Sequence, residues 1–351
     1  MERVDVAIVG GGVIGAATAF QLLQSRPGLR VALIERGLVG HGASARSAGV
    51  HVLRGGTPRV REMSLLSHMR WREWSSRHHL PIRELPTVVV ADENSKDRIA
   101  EQYFQQAAIR RTDRSALDAP GFRPPDGTAV WEAEGSHYAD VEDVAGRLVR
   151  AVRDRASVWE GSEVVGLRPL DGATAVDLGQ GRTLTAASVV LAPGPWIRHP
   201  AWADLLAPLG VRVKKIVALH IEHEPRRGRP LTILQDDDAF IVPYFERGHL
   251  LFSYTCDEWD VDPDRPLGAL DDEALQQGRA VLRRYFPDLA DACVSGRVFC
   301  DTYSPHREPV IRAVADGVFY AGAANGSGYR LAPAVADAVQ DLISKRDKGA
   351  S

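Results

Sequence analysis

Gly10-Gly11-Gly12-Val13-Ile14-Gly15 fits the spacing G-x-G-x-x-G, and an acid, Glu35, stands twenty residues beyond Gly15. Each residue type answers one need of a bound dinucleotide. Gly10 lets the chain turn sharply, Gly12 lets the backbone approach a pyrophosphate, and Gly15 lets a helix pack closely on a strand. Val13 and Ile14 lie at the approach to that helix, whose N-terminus offers free N–H groups and a positive dipole end to phosphates. Glu35, with Arg36 beside it, can accept hydrogen bonds from the adenosine ribose hydroxyls. This fingerprint does not distinguish FAD from NAD. The elements that must position it are legible. Val4 to Val9 is rich in β-branched residues and reads as a parallel strand buried on both faces. Ala16 to Gln24 follows a helical pattern, and Val31 to Ile34 is a second apolar strand. The uncharged run from Val6 to Ser25 is long enough to suggest a membrane anchor. Its flank holds Glu2 and Asp5 around Arg3, and its four glycines would make a poor isolated helix, so strand, turn and helix is the better reading.

Three later segments share a small-residue character. Gly40 to Gly49 (GHGASARSAG) is suited to letting backbone amides line a long ligand past its pyrophosphate. Ser188 to Trp196 reads as a strand ending in A-x-G-x-W. Val318 to Ala321 is a strand, followed by Gly326-Ser327-Gly328-Tyr329-Arg330-Leu331-Ala332-Pro333, where Leu331 opens a final helix and Pro333 suits its first turn. On these residues the chain resembles, over nearly its whole length, the glycine oxidase, sarcosine oxidase and D-amino-acid oxidase family of FAD enzymes. The resemblance implies FAD, expected to be non-covalent because Cys300 is out of register with that family's flavin-linking cysteine. Ala43, Ser44, Ser47, Ala48, Gly49 and Val50 would lie along its ribityl chain and flavin, and Val164 against its adenine. Ala192, Gly194 and Trp196 would form the second cofactor motif, with Trp196 either a direct contact or a core residue. Gly326, Ser327, Gly328, Tyr329 and Arg330 would meet the pyrimidine end, where a helix N-terminus stabilises the anionic reduced ring.

The implied chemistry is oxidation of the C–N bond of a small amino acid or related amine. Hydride passes to flavin N5, the imine hydrolyses, and the electrons reach O2 to give H2O2. A bidentate arginine best holds a carboxylate. Arg54 and Arg330 match positions that carry carboxylate-binding cations in the sarcosine oxidase branch. His51 either faces the flavin or is a satisfied core histidine; Tyr244, Tyr254 and Tyr303 either place phenols over the substrate or are buried with a bonded hydroxyl, and Tyr244 is preferred because it closes a strand facing the expected cleft. There are departures. Asp301 replaces the substrate arginine of the glycine oxidase branch, and His306 replaces an aspartate there. Leu251 aligns with an oxygen-activating lysine, which keeps open a same-family dehydrogenase that passes electrons to another acceptor. Cys300 is one residue out of register with a flavin-linking cysteine. A more distant alternative is an NADPH-dependent FAD hydroxylase.

The implied architecture is α/β (α+β). A Rossmann-like FAD-binding domain comprises residues 1–79, 137–205 and 300–351, and an inserted antiparallel-sheet substrate domain comprises 80–136 and 206–299. Strand signals run from Val211 to Ile221, Ala239 to Phe245 and His249 to Thr255, with Glu246-Arg247-Gly248 as a hairpin turn. Trp131 to Leu167 reads strand, helix, strand with Asp140 as N-cap, and Asp271 to Tyr285 reads as a helix. Asp262 to Pro266 breaks regular structure, and Lys345 to Ser351 is a polar tail expected to fray. The 351 residues carry a net charge of −3, which gives no attraction to phosphate backbones and argues against nucleic acid. Three cysteines without C-x-x-C spacing form neither a disulfide framework nor a zinc knuckle and fit a reducing cytoplasm. Asp236-Asp237-Asp238 reads as a solvated turn, and no metal is expected. The expected partners are a small-molecule amine and an electron acceptor. A homo-oligomer is compatible with this reading, and a membrane is not needed.

Overall fold

The computed structural model describes residues 2–113, 121–265 and 270–349. The chain opens with β1 (Glu2–Val9), α1 (Val13–Ser25), β2 (Val31–Ile34), the short α2 (Ala43–Arg46), β3 (Val50–His51) and α3 (Pro58–His78). It continues through β4 (Ile82–Asp92), α4 (Lys96–Gln102), β5 (Arg110–Thr112), β6 (Thr128–Ala139) and α5 (Val141–Arg150). Next come β7 (Ala156–Trp159), β8 (Val164–Leu170), β9 (Ala173–Leu178), β10 (Thr183–Leu191) and α6 (Ala203–Leu206). Four strands, β11 (Arg212–Ile221), β12 (Leu231–Leu234), β13 (Ala239–Tyr244) and β14 (His249–Tyr254), precede α7 (Asp272–Arg283) and α8 (Pro287–Asp291). The chain ends with β15 (Cys293–Tyr303), β16 (Val310–Ala315), β17 (Val318–Gly322) and α9 (Gly328–Gly349).

Two sheets organise these elements. The first has the order β16-β17-β10-β1-β2-β7, with the β8–β9 hairpin attached to β10. Its central strands are parallel, and Val6 to Val9 pair with Val31 to Ile34 in register. Such strands are buried on both faces, which is why they read as apolar runs. α1, α3, α5 and α9 cover one face around Phe20, Trp71, Leu148 and Val335. The expected face of α5 is buried at Val141, Val144 and Leu148, and Asp140 accepts from the Asp143 N–H at 3.2 Å to cap it. The uncharged N-terminal run is β1, the glycine turn and α1. Among the described residues no helix is long and apolar enough to cross a membrane.

The second sheet has the order β15-β11-β14-β13-β12-β4-β6-β3, with β5 on β6. It is antiparallel except where β12 meets β4. α7 and α8 close one face, packing Leu282 and Phe286 against Leu219 and Phe252. The other face carries Ala218, Val242, Tyr244 and Leu251 toward Val52 and Leu53, the residues after β3.

Three local expectations change. Trp131 to Leu167 contains two strands after its helix, β7 and β8, rather than one. α9 begins at Gly328, so Pro333 lies inside the helix and not in its first turn. The polar tail does not fray between Lys345 and Gly349, where α9 continues and Arg346 donates to the Ala187 carbonyl at 2.8 Å. Ala350, Ser351 and Pro266 lie outside the described residues.

Candidate active site

The phosphate end is built by backbone contacts that admit no side chain. Gly10 has φ +105°, and a Cβ there would lie 2.2 Å from the Ala192 carbonyl oxygen; at Gly15 it would lie 1.9 Å from the Gly10 carbonyl oxygen. α1 therefore starts directly above the end of β1. No side chain caps Gly12 and no acid occupies the first turn. The Val13 N–H donates to Ser44 Oγ at 3.0 Å, which ties α2 to the helix start. A Cβ on Gly12 would meet only that hydroxyl, at 3.4 Å, and one on Gly328 would meet nothing within 4 Å. The starts of α1 and α9 thus both border open space, which suits a ligand carrying negative charge at two points. Glu35 closes this end. Its carboxylate accepts from the Gly11 N–H at 2.7 Å and the Gly37 N–H at 2.8 Å, with lone pairs to spare for ribose hydroxyls. The residues present therefore fit FAD.

Trp196 is neither core nor free. It is half-buried, with the Arg36 guanidinium 4.1 Å over its ring, and its Nε1 donates to Asp264 at 2.7 Å. Arg36 also pairs with Asp264 at 3.1 Å, so these three residues form one rim. Val164 is buried at the start of β8 opposite Leu178, and the Ala192 N–H donates to the Val9 carbonyl. Gly194 takes a positive φ beside Trp196.

The loop from Ser47 to Val50 is held from the second sheet. Tyr244 donates to the Ala48 carbonyl at 2.9 Å. Arg297 donates to both the Ser47 carbonyl and the Tyr244 hydroxyl at 3.2 Å. Tyr244 is therefore a loop brace, whereas the sequence placed its phenol toward substrate. Burial pushes that phenol above its ordinary range, against the pull of Arg297. Arg297 is absent from the sequence expectations. The readable signal was its alternation on β15 with Phe299 and Asp301, opposite Ala218, Ile216 and Lys214.

Arg54 and Arg330, 276 positions apart, interact. Arg54 donates to Gln235 at 2.6 Å, and its nearest carboxylate is Asp238 at 3.9 Å. Arg330 is half-buried and donates to Ser327 Oγ at 2.5 Å, while its enclosed Nε has no partner. Burial, and then the charge of Arg54, push Arg330 down to about 10. Two guanidiniums beside one exposed carboxylate, Asp238, leave an excess of positive charge that suits an anion. Tyr103 joins this group, its phenol raised by burial and pulled back by both arginines.

His51 is buried and meets the Arg330 carbonyl through Nδ1 at 3.3 Å. Its ring stacks on His137 at 4.5 Å, with His68 5.5 Å away. Burial holds all three imidazoles below their ordinary range, His137 at about 3. Tyr329 turns its ring onto Trp71 and its hydroxyl toward His137, so only its backbone is available at the helix start. Asp301 accepts from the Thr302 N–H and is pushed up to about 6 by burial. Cys300 is buried and pushed up to about 11, and Leu251 is enclosed by apolar neighbours. Asp236, Asp237 and Asp238 face three different arginines, Arg98, Arg284 and Arg54, and do not converge.

A family model described as FAD dependent oxidoreductase, DAO, matches residues 5–342. The probable oxidoreductase OrdL of Rhizobium meliloti is 24% identical over 369 residues, covering 94% of this chain and 81% of that protein. The crystal structure of glycine oxidase from Geobacillus kaustophilus superposes with a TM-score of 0.81 at 22% identity, covering 98% of this chain and 95% of that one. L-proline dehydrogenase from P. horikoshii superposes with a TM-score of 0.83 at 18% identity, covering 98% and 94%. With the glycine cradle, Glu35 and the two-ended site in place, this chain belongs to the DAO family of FAD-dependent oxidoreductases, the family its motifs resemble.

Proposed function

We propose that this enzyme oxidises the C–N bond of a small amino acid or a related amine. The observation that carries the reading is the Arg54–Arg330 pair beside the start of α9, an excess of positive charge with an unpartnered Nε. A carboxylate bound there would hold the substrate at two donors, and such fixed orientation is worth several kcal/mol, on the order of the effective molarities of positioned groups. FAD, when bound, supplies a two-electron acceptor that takes a hydride at N5 and returns the electrons to dioxygen as hydrogen peroxide. The substrate loses that hydride from carbon and a proton from nitrogen, and water hydrolyses the resulting imine to carbonyl compound and amine. The chain's own residues prepare this. Tyr244 and Arg297 fix the loop at Ser47 and Ala48, and His51 holds the Arg330 carbonyl. The first N–H groups of α9 lack helical partners and point positive charge at its N-terminal side.

Anaerobic addition of a panel of amino acids and polyamines to the yellow protein tests the reading. Bleaching by carboxylate-bearing amines is expected. A flavin that no amine bleaches overturns it. A same-family dehydrogenase is favoured by one observation, the apolar enclosure of Leu251. An oxygen electrode with a dye acceptor as control separates the two: peroxide in step with substrate supports the oxidase, and turnover with dye alone supports the dehydrogenase.

A further inference from the structure

Among the described residues, His51, His68 and His137 each leave one buried ring nitrogen without a hydrogen-bond partner. The three side chains offer ligand atoms that lie within 4.8 Å of one another. One such orphan nitrogen is ordinary. Three this close together call for a common partner, an ion or a water. We propose that His51 Nε2, His68 Nδ1 and His137 Nε2 form a binding site for one divalent transition-metal ion, zinc being the form to test.

The second layer of contacts fits this. A metal-binding histidine usually fixes its other ring nitrogen on a carbonyl or a similar group, which sets tautomer and orientation. His51 places Nδ1 on the Arg330 carbonyl, and His137 places Nδ1 on the Tyr329 hydroxyl. The carbonyl at Arg330 can only accept, so the His51 proton sits on Nδ1 and its Nε2 presents a lone pair. Imidazole nitrogen suits zinc, copper and nickel.

Topology assembles the set from distant parts of the chain. His51 pairs with His137 across β3 and β6, and His137 pairs with Glu84 across β6 and β4. These three residues form one row on a single face, and His68 reaches it from α3. His68, His137 and Glu84 also line a cavity of about 880 Å³. That cavity supplies the open fourth position, for water or the Glu84 carboxylate. The His51 and His137 rings lie at only 8° to each other, so sharing an ion requires one ring to turn about its Cβ–Cγ bond. The Tyr329 hydroxyl, as a rotating group, can follow His137. Binding would clamp β3, β6 and α3 at the point where His51 meets the first turn of α9, independently of which amine the enzyme oxidises.

The flavoprotein, stripped with chelator and dialysed against about 10 µM free zinc, should retain one zinc per chain by elemental analysis. X-ray absorption of the zinc-loaded wild type should show an imidazole shell at about 2.0–2.1 Å. His68→Asn should weaken zinc binding at least about tenfold. His41→Asn, at the exposed His41–Glu142 pair, should leave it unchanged. Wild-type protein that retains no zinc, or a zinc shell without imidazoles, overturns the proposal in favour of a buried water. Equal zinc binding by His68→Asn overturns it in favour of a surface site. The absorption spectrum of the wild type decides the matter even where the variant misfolds.

Discussion

The indole N–H of Trp71 donates to the carbonyl of Tyr329 at 3.2 Å. That carbonyl stands four residues before Pro333, whose missing N–H would otherwise have bonded it within α9. Trp71, on α3, thus supplies from outside the bond that Pro333 removes from inside. The neighbouring turn is treated similarly: Ser67 Oγ accepts from the Ala334 N–H and His51 meets the Arg330 carbonyl. The helix start that carries the C-terminal motif is set by side chains of α3 and β3.

Trp71→Phe keeps most of the apolar contact and removes the donor. The buried carbonyl then lacks a partner, a loss of about 1–3 kcal/mol. Chemical denaturation should show that loss, and it should shrink in a Pro333→Ala background, where residue 333 regains an N–H for Tyr329. A cycle in which Trp71→Phe costs the same in both backgrounds would mean that only packing is at stake.

Arg330→Ala and Arg54→Ala should each lower kcat/KM for carboxylate-bearing amines by about 10- to 100-fold, the worth of charge-assisted hydrogen bonds of roughly 1.5–3 kcal/mol. FAD content, read from the absorbance of the bound flavin, should stay near wild type. Should either variant keep wild-type kinetics on every carboxylate tested, that arginine is not the anchor.

Glu35 acts at the opposite end. Glu35→Ala removes the acceptor for the Gly11 and Gly37 N–H groups as well as the proposed ribose partner. Titration of the stripped protein with FAD should show a dissociation constant raised by at least about tenfold, equivalent to ~1.4 kcal/mol. Kinetics at saturating FAD should change much less. An unchanged FAD affinity would leave Glu35 a brace of the glycine turn only.

The difference between these ends explains what the sequence could reveal. Gly10 and Gly15 are legible because each answers a requirement inside one strand–turn–helix unit: Gly10 turns the chain at φ +105°, and Gly15 packs on the Gly10 carbonyl. The Arg54–Arg330 pair was reachable only through the resemblance to the sarcosine oxidase branch. The histidine row was not, because His51, His68 and His137 come from three elements whose adjacency only the β3–β6 pairing and the α3 packing create. Pro333 shows the opposite failure. The local rule puts proline in a first turn, and a tertiary donor, Trp71, overrides it. The Tyr244 phenol was expected over the substrate; its hydroxyl instead donates to the Ala48 carbonyl, a partner 196 positions away that only the folded chain brings to it.

Asp301 supplies a pH test with a defined sign. Its carboxyl is raised to about 6 in the folded protein from an ordinary 3.8, chiefly by burial. Below both values the native and unfolded chains carry the same proton, so folding is indifferent to the group. Between them the native state keeps the proton and the unfolded state loses it, so stability falls as pH rises through that window. Above about 6 the native carboxylate is ionised in a poorly solvated place, at a cost of at most about 3 kcal/mol. Lys214 lies opposite on β11, with its Nζ over the rings of Trp259 and Tyr303. Asp301→Asn keeps an acceptor for the Thr302 N–H and cannot ionise. Denaturation curves from pH 4 to 8 should therefore show a decline in the wild type that is absent in the variant, with the variant the more stable at pH 8. Parallel profiles for the two proteins would mean that the Asp301 carboxylate is stabilised after all, with the Lys214 ammonium across the strand pair as the nearest source of that compensation.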